Sequence, residues 1–152
     1  MSDPISFTAK SARFDLPFLF AGQAQKEFFV NQGLALTDCL LHSAVEGSRS
    51  TPPTDPIDGE CWIVDSNPEG DWFGYEDAMA CRQAGTWIFV TPREGMQVFD
   101  HEAGQQIRFN NGWKRAAEPA IPSGGTVVDL EARTALNNLV ETLRIAGILP
   151  FQ

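Results

Sequence analysis

The hydrophobic and polar positions separate an N-terminal leader from a helix. Apolar side chains at alternate positions between residues 14 and 20 predict an extended strap, which packs on its own domain or inserts into a neighbouring subunit. From residue 23 to about residue 42 the apolar positions recur at helical spacing, with Phe28, Leu34 and Leu41 on one broad stripe. Because this helix is apolar over much of its circumference, we expect it to be buried in the protein or in an oligomer.

A different pattern follows a proline-containing link at residues 47–58. In residues 59–117, short apolar runs are separated by turns that contain Gly and Asn, which predicts an antiparallel β-module of about 5–7 strands. The runs are residues 60–64, 78–82, 87–90, 96–99 and 106–109.

The last segment, residues 118–152, begins with helix breakers and continues as a helix. Asp129 is a suitable N-cap, and Gly147 and Pro150 end the pattern. Leu136, Leu139, Val140 and Leu143 mark a narrow apolar seam, so a helix of this length needs a partner surface, for instance copies of itself around a symmetry axis. The fold class is α+β: residues 1–46 form a strap and helix, 47–58 a linker, 59–117 the β-module, and 118–152 the closing helix.

Composition narrows the possible partners. Twenty acidic and eleven basic residues give a net charge of −9, which repels phosphate backbones and disfavours nucleic acid as a partner. No stretch predicts a signal peptide or membrane insertion, so we expect synthesis in the cytoplasm. The cysteines, Cys39, Cys61 and Cys81, are odd in number and lack Cys-x-x-Cys spacing, which favours core thiols over a disulfide framework or a zinc knuckle.

Motifs for catalysis are missing from the sequence. It contains two histidines and no nucleophile elbow, P-loop or dinucleotide fingerprint, so we expect neither an enzyme nor a cofactor. The stretch from residue 65 to 76 places Asp65, Asn67, Glu69 and Glu76 near the calcium-loop pattern. Glu at its fifth position, Pro at its fourth and a strand in place of an entering helix favour an acidic turn, and we predict no metal site.

Four aromatic residues are candidates for carbohydrate binding: Trp72, Tyr75, Trp87 and Trp113. Aromatic faces offer apolar area on which sugars stack, whereas indoles at the starts of strands more often belong to a core. Both interpretations remain open from the sequence. Paired carboxylates for glycan hydrolysis can be proposed in any acidic chain, and their separation cannot be read from the sequence.

The block Gln23-Ala24-Gln25-Lys26-Glu27 is the most specific part of a resemblance to a known protein family. The resemblance extends over roughly residues 12–115 and includes Gly59–Val64, Pro92–Met96 and Gly112-Trp113. The chain resembles a domain-of-unknown-function family found in prophages and gene transfer agents of alphaproteobacteria. The resemblance implies a structural head-spike or fibre component, assembled into a phage-like particle and associated with the capsular polysaccharide of recipient cells.

We therefore expect a non-enzymatic subunit that forms a homo-oligomer, with a trimer favoured, and that contacts capsid or spike proteins and bacterial capsular polysaccharide. The alternatives are a stand-alone carbohydrate-binding module and a small glycan-degrading accessory protein. Candidate assembly residues are Phe18, Phe20, Gln23, Gln25, Lys26, Asn31, Leu136, Val140 and Leu143.

Overall fold

A computed structural model describes residues 10–20, 22, 26–120, 123–124 and 129–150. Its elements confirm the α+β prediction, because one helix precedes the strands along the chain, another follows them, and each of the five predicted runs contains most of one strand. In order they are α1 (Lys26–Leu40), β1 (Ala44–Val45), β2 (Ser48–Arg49), β3 (Cys61–Val64), β4 (Met79–Gln83), β5 (Thr86–Val90), β6 (Gln97–Asp100), β7 (Gln105–Phe109), β8 (Trp113–Arg115) and α2 (Leu130–Ile145).

The chain divides into two compact units, Met1–Pro92 and Arg93–Gln152. The boundary lies inside the stretch 59–117, which the alternation pattern alone groups as one β-module. Alternating apolar positions identify strands but do not report which strands share a sheet.

The sheet of the first unit has the strand order β2-β3-β4-β5. β2 runs parallel to β3, while β3–β4 and β4–β5 are antiparallel. Because successive side chains point to opposite faces, Val64 and Ala80 pack with buried Trp72 on one face, and Cys61 and Cys81 point to the other. The two central strands are therefore covered on both faces, which explains why β3 contains no charged residue.

The strap lies against α1 and is held by polar contacts. The carboxylate of buried Asp38 accepts the backbone N–H groups of Arg13 (2.9 Å) and Phe14 (2.8 Å). The amide of Asn31 bonds both the N–H and the carbonyl of Leu19, at 2.8 and 3.0 Å. Of the two alternatives for the strap, the structure shows packing on its own unit.

Arg13 also closes the C-terminal end of α1. Its guanidinium donates to the carbonyl oxygens of Asp38, Cys39, Leu41 and His42 at 3.0–3.3 Å. The last carbonyls of a helix have no partner within the helix, and a cation there also interacts favourably with the helix dipole. One side chain thus fastens the strap and caps the helix.

The second unit contains the antiparallel strands β6, β7 and β8, paired in that order. Val98 and Ile107 are buried cross-strand partners in its core. Asp100 is fully buried, and its Oδ2 accepts Nε and Nη2 of Arg115 at 3.0 and 2.6 Å. Its Oδ1 accepts the N–H of Ala103 at 3.1 Å, so both oxygens of the carboxylate are hydrogen-bonded.

Both ends of α2 follow the predicted signals. The side chain of Asp129 accepts the N–H of Ala132 at 2.9 Å, which is an N-cap contact. At the other end Gly147 has φ of 68°, and the N–H groups of Gly147 and Ile148 donate to the carbonyls of Arg144 and Leu143. This pairing is a Schellman motif, whose left-handed position favours glycine.

Candidate functional site

The segment between β3 and β4 forms an open cavity on the first unit. A single turn of 3-10 helix at Gly70–Trp72 turns the chain, so that Trp72 enters the core and Phe73 points outward. Phe73 is 79% exposed. The cavity is about 670 Å³ and is lined by Asn67, Pro68, Glu69, Gly70, Phe73, Gly74 and Glu76. An exposed aromatic ring beside carboxylates and backbone polar groups is a surface on which a polar ligand with an apolar face can be held.

Tyr75 is a second exposed aromatic residue of the same segment, and it is adjacent in sequence to the lining residues Gly74 and Glu76. Its ring stacks on that of Phe89, with centroids 3.6 Å apart and planes 6° from parallel. The tyrosine is 44% exposed, because Phe89 covers only one of its two faces. Stacking fixes the ring orientation before any ligand arrives, which lowers the entropy lost on binding.

The four predicted carbohydrate-binding residues do not form one surface. Trp72 is 0% exposed and contacts Trp87 edge to face at 5.2 Å, so its ring is closed to a ligand. Trp87 is half-buried, with the guanidinium of Arg82 5.1 Å from its ring centroid. Trp113 belongs to the second unit and packs against Phe109. None of the four lines the cavity, although Tyr75 is an exposed neighbour of its lining residues Gly74 and Glu76.

Sequence reasoning missed Phe73. Trp72 and Phe73 are adjacent aromatics in a turn, where side chains follow neither the strand nor the helix period. Only the positive φ of Gly70, 60°, and the turn it permits decide which of the two faces the core.

The calcium-like residues do not converge. Among the described residues, the one group of three or more His, Cys, Asp or Glu side chains with ligand atoms close together is formed by cysteines. Asp65 accepts the N–H of Ser66 at 2.7 Å, and Asn67 adopts φ of 54°. Asp65, Asn67, Glu69 and Glu76 are thus exposed residues of a turn.

The predicted assembly residues occupy varied environments. Gln23 and Gln25 lie outside the described residues. The side-chain amide of Asn31 is hydrogen-bonded to the backbone of Leu19. Phe18, Val140 and Leu143 are half-buried, whereas Phe20, Lys26 and Leu136 are exposed.

Apolar side chains outside the predicted assembly set are exposed on both helices. On α1, Phe28 is 70% and Phe29 74% exposed, and their rings meet edge to face at 5.8 Å. On α2 no residue is buried, and Leu130, Leu139 and Ile145 are all more than half exposed. Within the described part of the chain, each helix therefore leaves several large apolar side chains exposed.

The three cysteines are buried and free, which confirms the prediction of core thiols. They are also neighbours: their Sγ atoms all lie within 4.8 Å of one another. The thiols of Cys61 and Cys81 interact with the sulfur of Cys39, which lowers the pKa of Cys39 and raises the pKa of each of the other two. The cysteines are 22 and 20 positions apart along the chain, and this spacing does not predict that their sulfur atoms lie close together.

In the described part of the chain, neither helix has both the length and the apolar character of a membrane span. No curated protein matches the sequence. Residues 30–114, more than half of the 152-residue chain, match the family described as protein of unknown function (DUF2793). The match contains most of α1, β1–β7, the cavity segment and all three cysteines. The chain belongs to the DUF2793 family.

Proposed function

We propose that this protein is a non-enzymatic structural subunit of a phage-like particle, a head-spike or fibre component of the gene-transfer-agent type, which takes part in attachment to bacterial surface polysaccharide. The resemblance of residues 12–115 to proteins of prophages and gene transfer agents supports the particle assignment. A homo-oligomer, with a trimer favoured, is the assembly we propose, together with contacts to capsid or spike proteins.

The observation that carries the proposal is the set of large apolar side chains that each helix leaves exposed. Phe28 and Phe29 are mostly exposed, and burial of one such ring contributes about 1.5–3 kcal/mol. In a closed oligomer every copy contributes the same residues, so the gain is multiplied by the number of subunits. A subunit whose helices pack on neighbouring copies accounts for side chains that a monomer would leave in water.

The attachment role rests on the cavity beside Phe73. Sugar rings present C–H faces that pack on aromatic rings and hydroxyl groups that donate to carboxylates and carbonyls. Phe73 supplies a ring and Glu69 and Glu76 supply acceptors in the lining of the cavity, and the exposed ring of Tyr75 lies in the same segment of the chain. The site thus has the mixed character that a polysaccharide segment requires.

Light scattering over a tenfold concentration range tests assembly. We expect a concentration-independent closed oligomer, and Phe28→Ser with Phe29→Ser should shift the protein to monomer without loss of fold, because both rings are mostly exposed. Phe73→Ser is the matched control, since it removes an equally exposed ring from another surface and should leave the mass unchanged. A stable monomer over the whole range would refute the assembly proposal.

A binding assay with purified capsular polysaccharide tests attachment. Phe73→Ser and Tyr75→Ala should weaken binding at least about tenfold, given the 1–3 kcal/mol carried by a well-placed aromatic contact. Phe28→Ser then becomes the control and should retain the affinity per subunit. Binding by a wild-type monomer would favour the second candidate, a stand-alone carbohydrate-binding module.

A further inference from the structure

All three thiols of the protein meet at one buried point of the first unit. Cys39 comes from α1, Cys61 from β3 and Cys81 from β4, and none is more than 4% exposed. Their Sγ atoms lie within 4.8 Å of one another. A hydrophobic core does not require three cysteines at one point, because apolar residues of similar size would fill the same space.

Sheet register fixes two of the three sulfurs. Cys61 and Cys81 are direct cross-strand partners. Ladder hydrogen bonds join the pairs Val64–Ala78 and Glu60–Arg82. Because hydrogen-bonded pairs alternate along an antiparallel ladder, Cys61–Cys81 is a non-hydrogen-bonded pair, with Cα atoms about 4.5 Å apart and side chains on the same face. The third sulfur approaches that face from the C-terminal end of α1.

The spacing suits a metal bound by three sulfurs. At a metal–sulfur distance of about 2.3 Å, three ligands in a plane lie about 4 Å from one another. Sulfurs that are already within 4.8 Å need only small side-chain rotations to reach that arrangement. Because the ligands come from three different elements, the site is held by the fold rather than by a flexible loop.

Two charged groups stand beside the thiols and act on Cys39 in opposite directions. The guanidinium of Arg13 donates to the carbonyls of Asp38 and Cys39, so a fixed positive charge stands beside the cluster. The carboxylate of Asp38 is occupied by the N–H groups of Arg13 and Phe14, which removes it as a ligand. Arg13 offsets part of the negative charge that three thiolates would bring into the core, whereas the negative charge of Asp38 raises the pKa of Cys39, so the bound cation has to supply the remaining compensation.

We propose that Cys39, Cys61 and Cys81 bind one soft metal ion through three thiolates, and that the ion is Cu(I). Within the described residues, the group contains no fourth His, Cys, Asp or Glu. Zn²⁺ takes four ligands in structural sites, whereas Cu(I) is selected by soft sulfur ligands. Binding displaces the thiol protons to solvent and leaves the oxidation state of copper and sulfur unchanged.

Anaerobic titration of the reduced full-length chain with Cu(I), followed by thiolate-to-copper charge-transfer absorption, tests the site. We expect saturation at one Cu(I) per chain, a raised unfolding midpoint, and weaker binding of Zn²⁺. Cys39→Ser should lower the Cu(I) affinity at least about 100-fold. Loss of a residue that only supports a metal ligand costs up to about 100-fold, so loss of a ligand itself should cost at least as much. Ala35→Ser, which places a hydroxyl one turn earlier on the same buried face, is the matched control and should retain binding.

X-ray absorption of the copper-loaded wild-type chain provides a test that needs no variant. Three sulfur neighbours around one copper are expected. Two sulfurs, or nitrogen and oxygen ligands, would overturn the proposal, as would the absence of a saturable charge-transfer band. A disulfide between Cys61 and Cys81 whose reduced form binds no Cu(I) would also overturn it, and would make the cluster a redox pair.

Discussion

One buried carboxylate, that of Asp38, fastens the strap to α1. Removing this carboxylate should lower the free energy of unfolding. Asp38 is 2% exposed, and its two oxygens accept the N–H groups of Arg13 and Phe14 at 2.9 and 2.8 Å. Asp38→Ala leaves both donors without their partner. An unsatisfied buried donor costs about 1–3 kcal/mol, and these partly buried groups recover some hydration, so the free energy of unfolding should fall by about 2–4 kcal/mol.

Replacement of Arg13, the other residue of this contact, should lower the free energy of unfolding by a smaller amount. Arg13→Ala removes the donors of four carbonyl oxygens at the C-terminal end of α1. Two of these oxygens belong to the exposed residues Leu41 and His42 and can turn to water, so we expect a loss of about 1–2 kcal/mol. Both side chains hold the strap on the helix, and the double variant should therefore lose less than the sum of the single variants.

Urea unfolding, together with hydrogen exchange at the amides of Arg13 and Phe14, measures these effects. Asp55→Ala is the matched control, because it removes the same charge from an exposed position and relieves the same net repulsion of a −9 chain. Exchange at both amides should accelerate in Asp38→Ala and remain slow in Asp55→Ala. An unchanged urea midpoint, or unchanged protection of these amides in Asp38→Ala, would refute the reasoning.

Substitutions at three further positions probe other parts of the fold by urea or thermal unfolding. Asp100→Ala should lower the free energy of unfolding by about 2–3 kcal/mol. This is less than the roughly 3–5 kcal/mol expected for breaking a fully buried ion pair, because Arg115 is partly exposed; an unchanged free energy would mean that the ion pair does not stabilise the fold. Gly147→Ala should cost about 1 kcal/mol at its positive φ, and a neutral result would contradict the Schellman assignment. Trp72→Ala should cost about 3–5 kcal/mol, and Trp72→Phe distinctly less, because the indole N–H has no partner among the described residues; equal losses would contradict this.

The sequence by itself determined the local elements. Alternation located β3 to β7, and the cap residue Asp129 and the left-handed Gly147 marked the ends of α2. These signals depend on the chain within a few positions, through side-chain period, cap hydrogen bonds and backbone φ, so they can be read without knowledge of distant contacts.

Only the tertiary structure decided the contacts between distant positions. It placed Trp72 in the core and Phe73 outside, fastened the strap through Asp38, and brought Cys39 to the sulfurs of Cys61 and Cys81. The meeting of the cysteines depends on strand register and on the packing of α1 on the sheet, the strap contact on its packing against α1, and the placement of Trp72 on the turn at Gly70 and the core that the indole enters. Register and packing are set by the sum of many weak contacts over the whole unit, and no single stretch of the sequence encodes that sum.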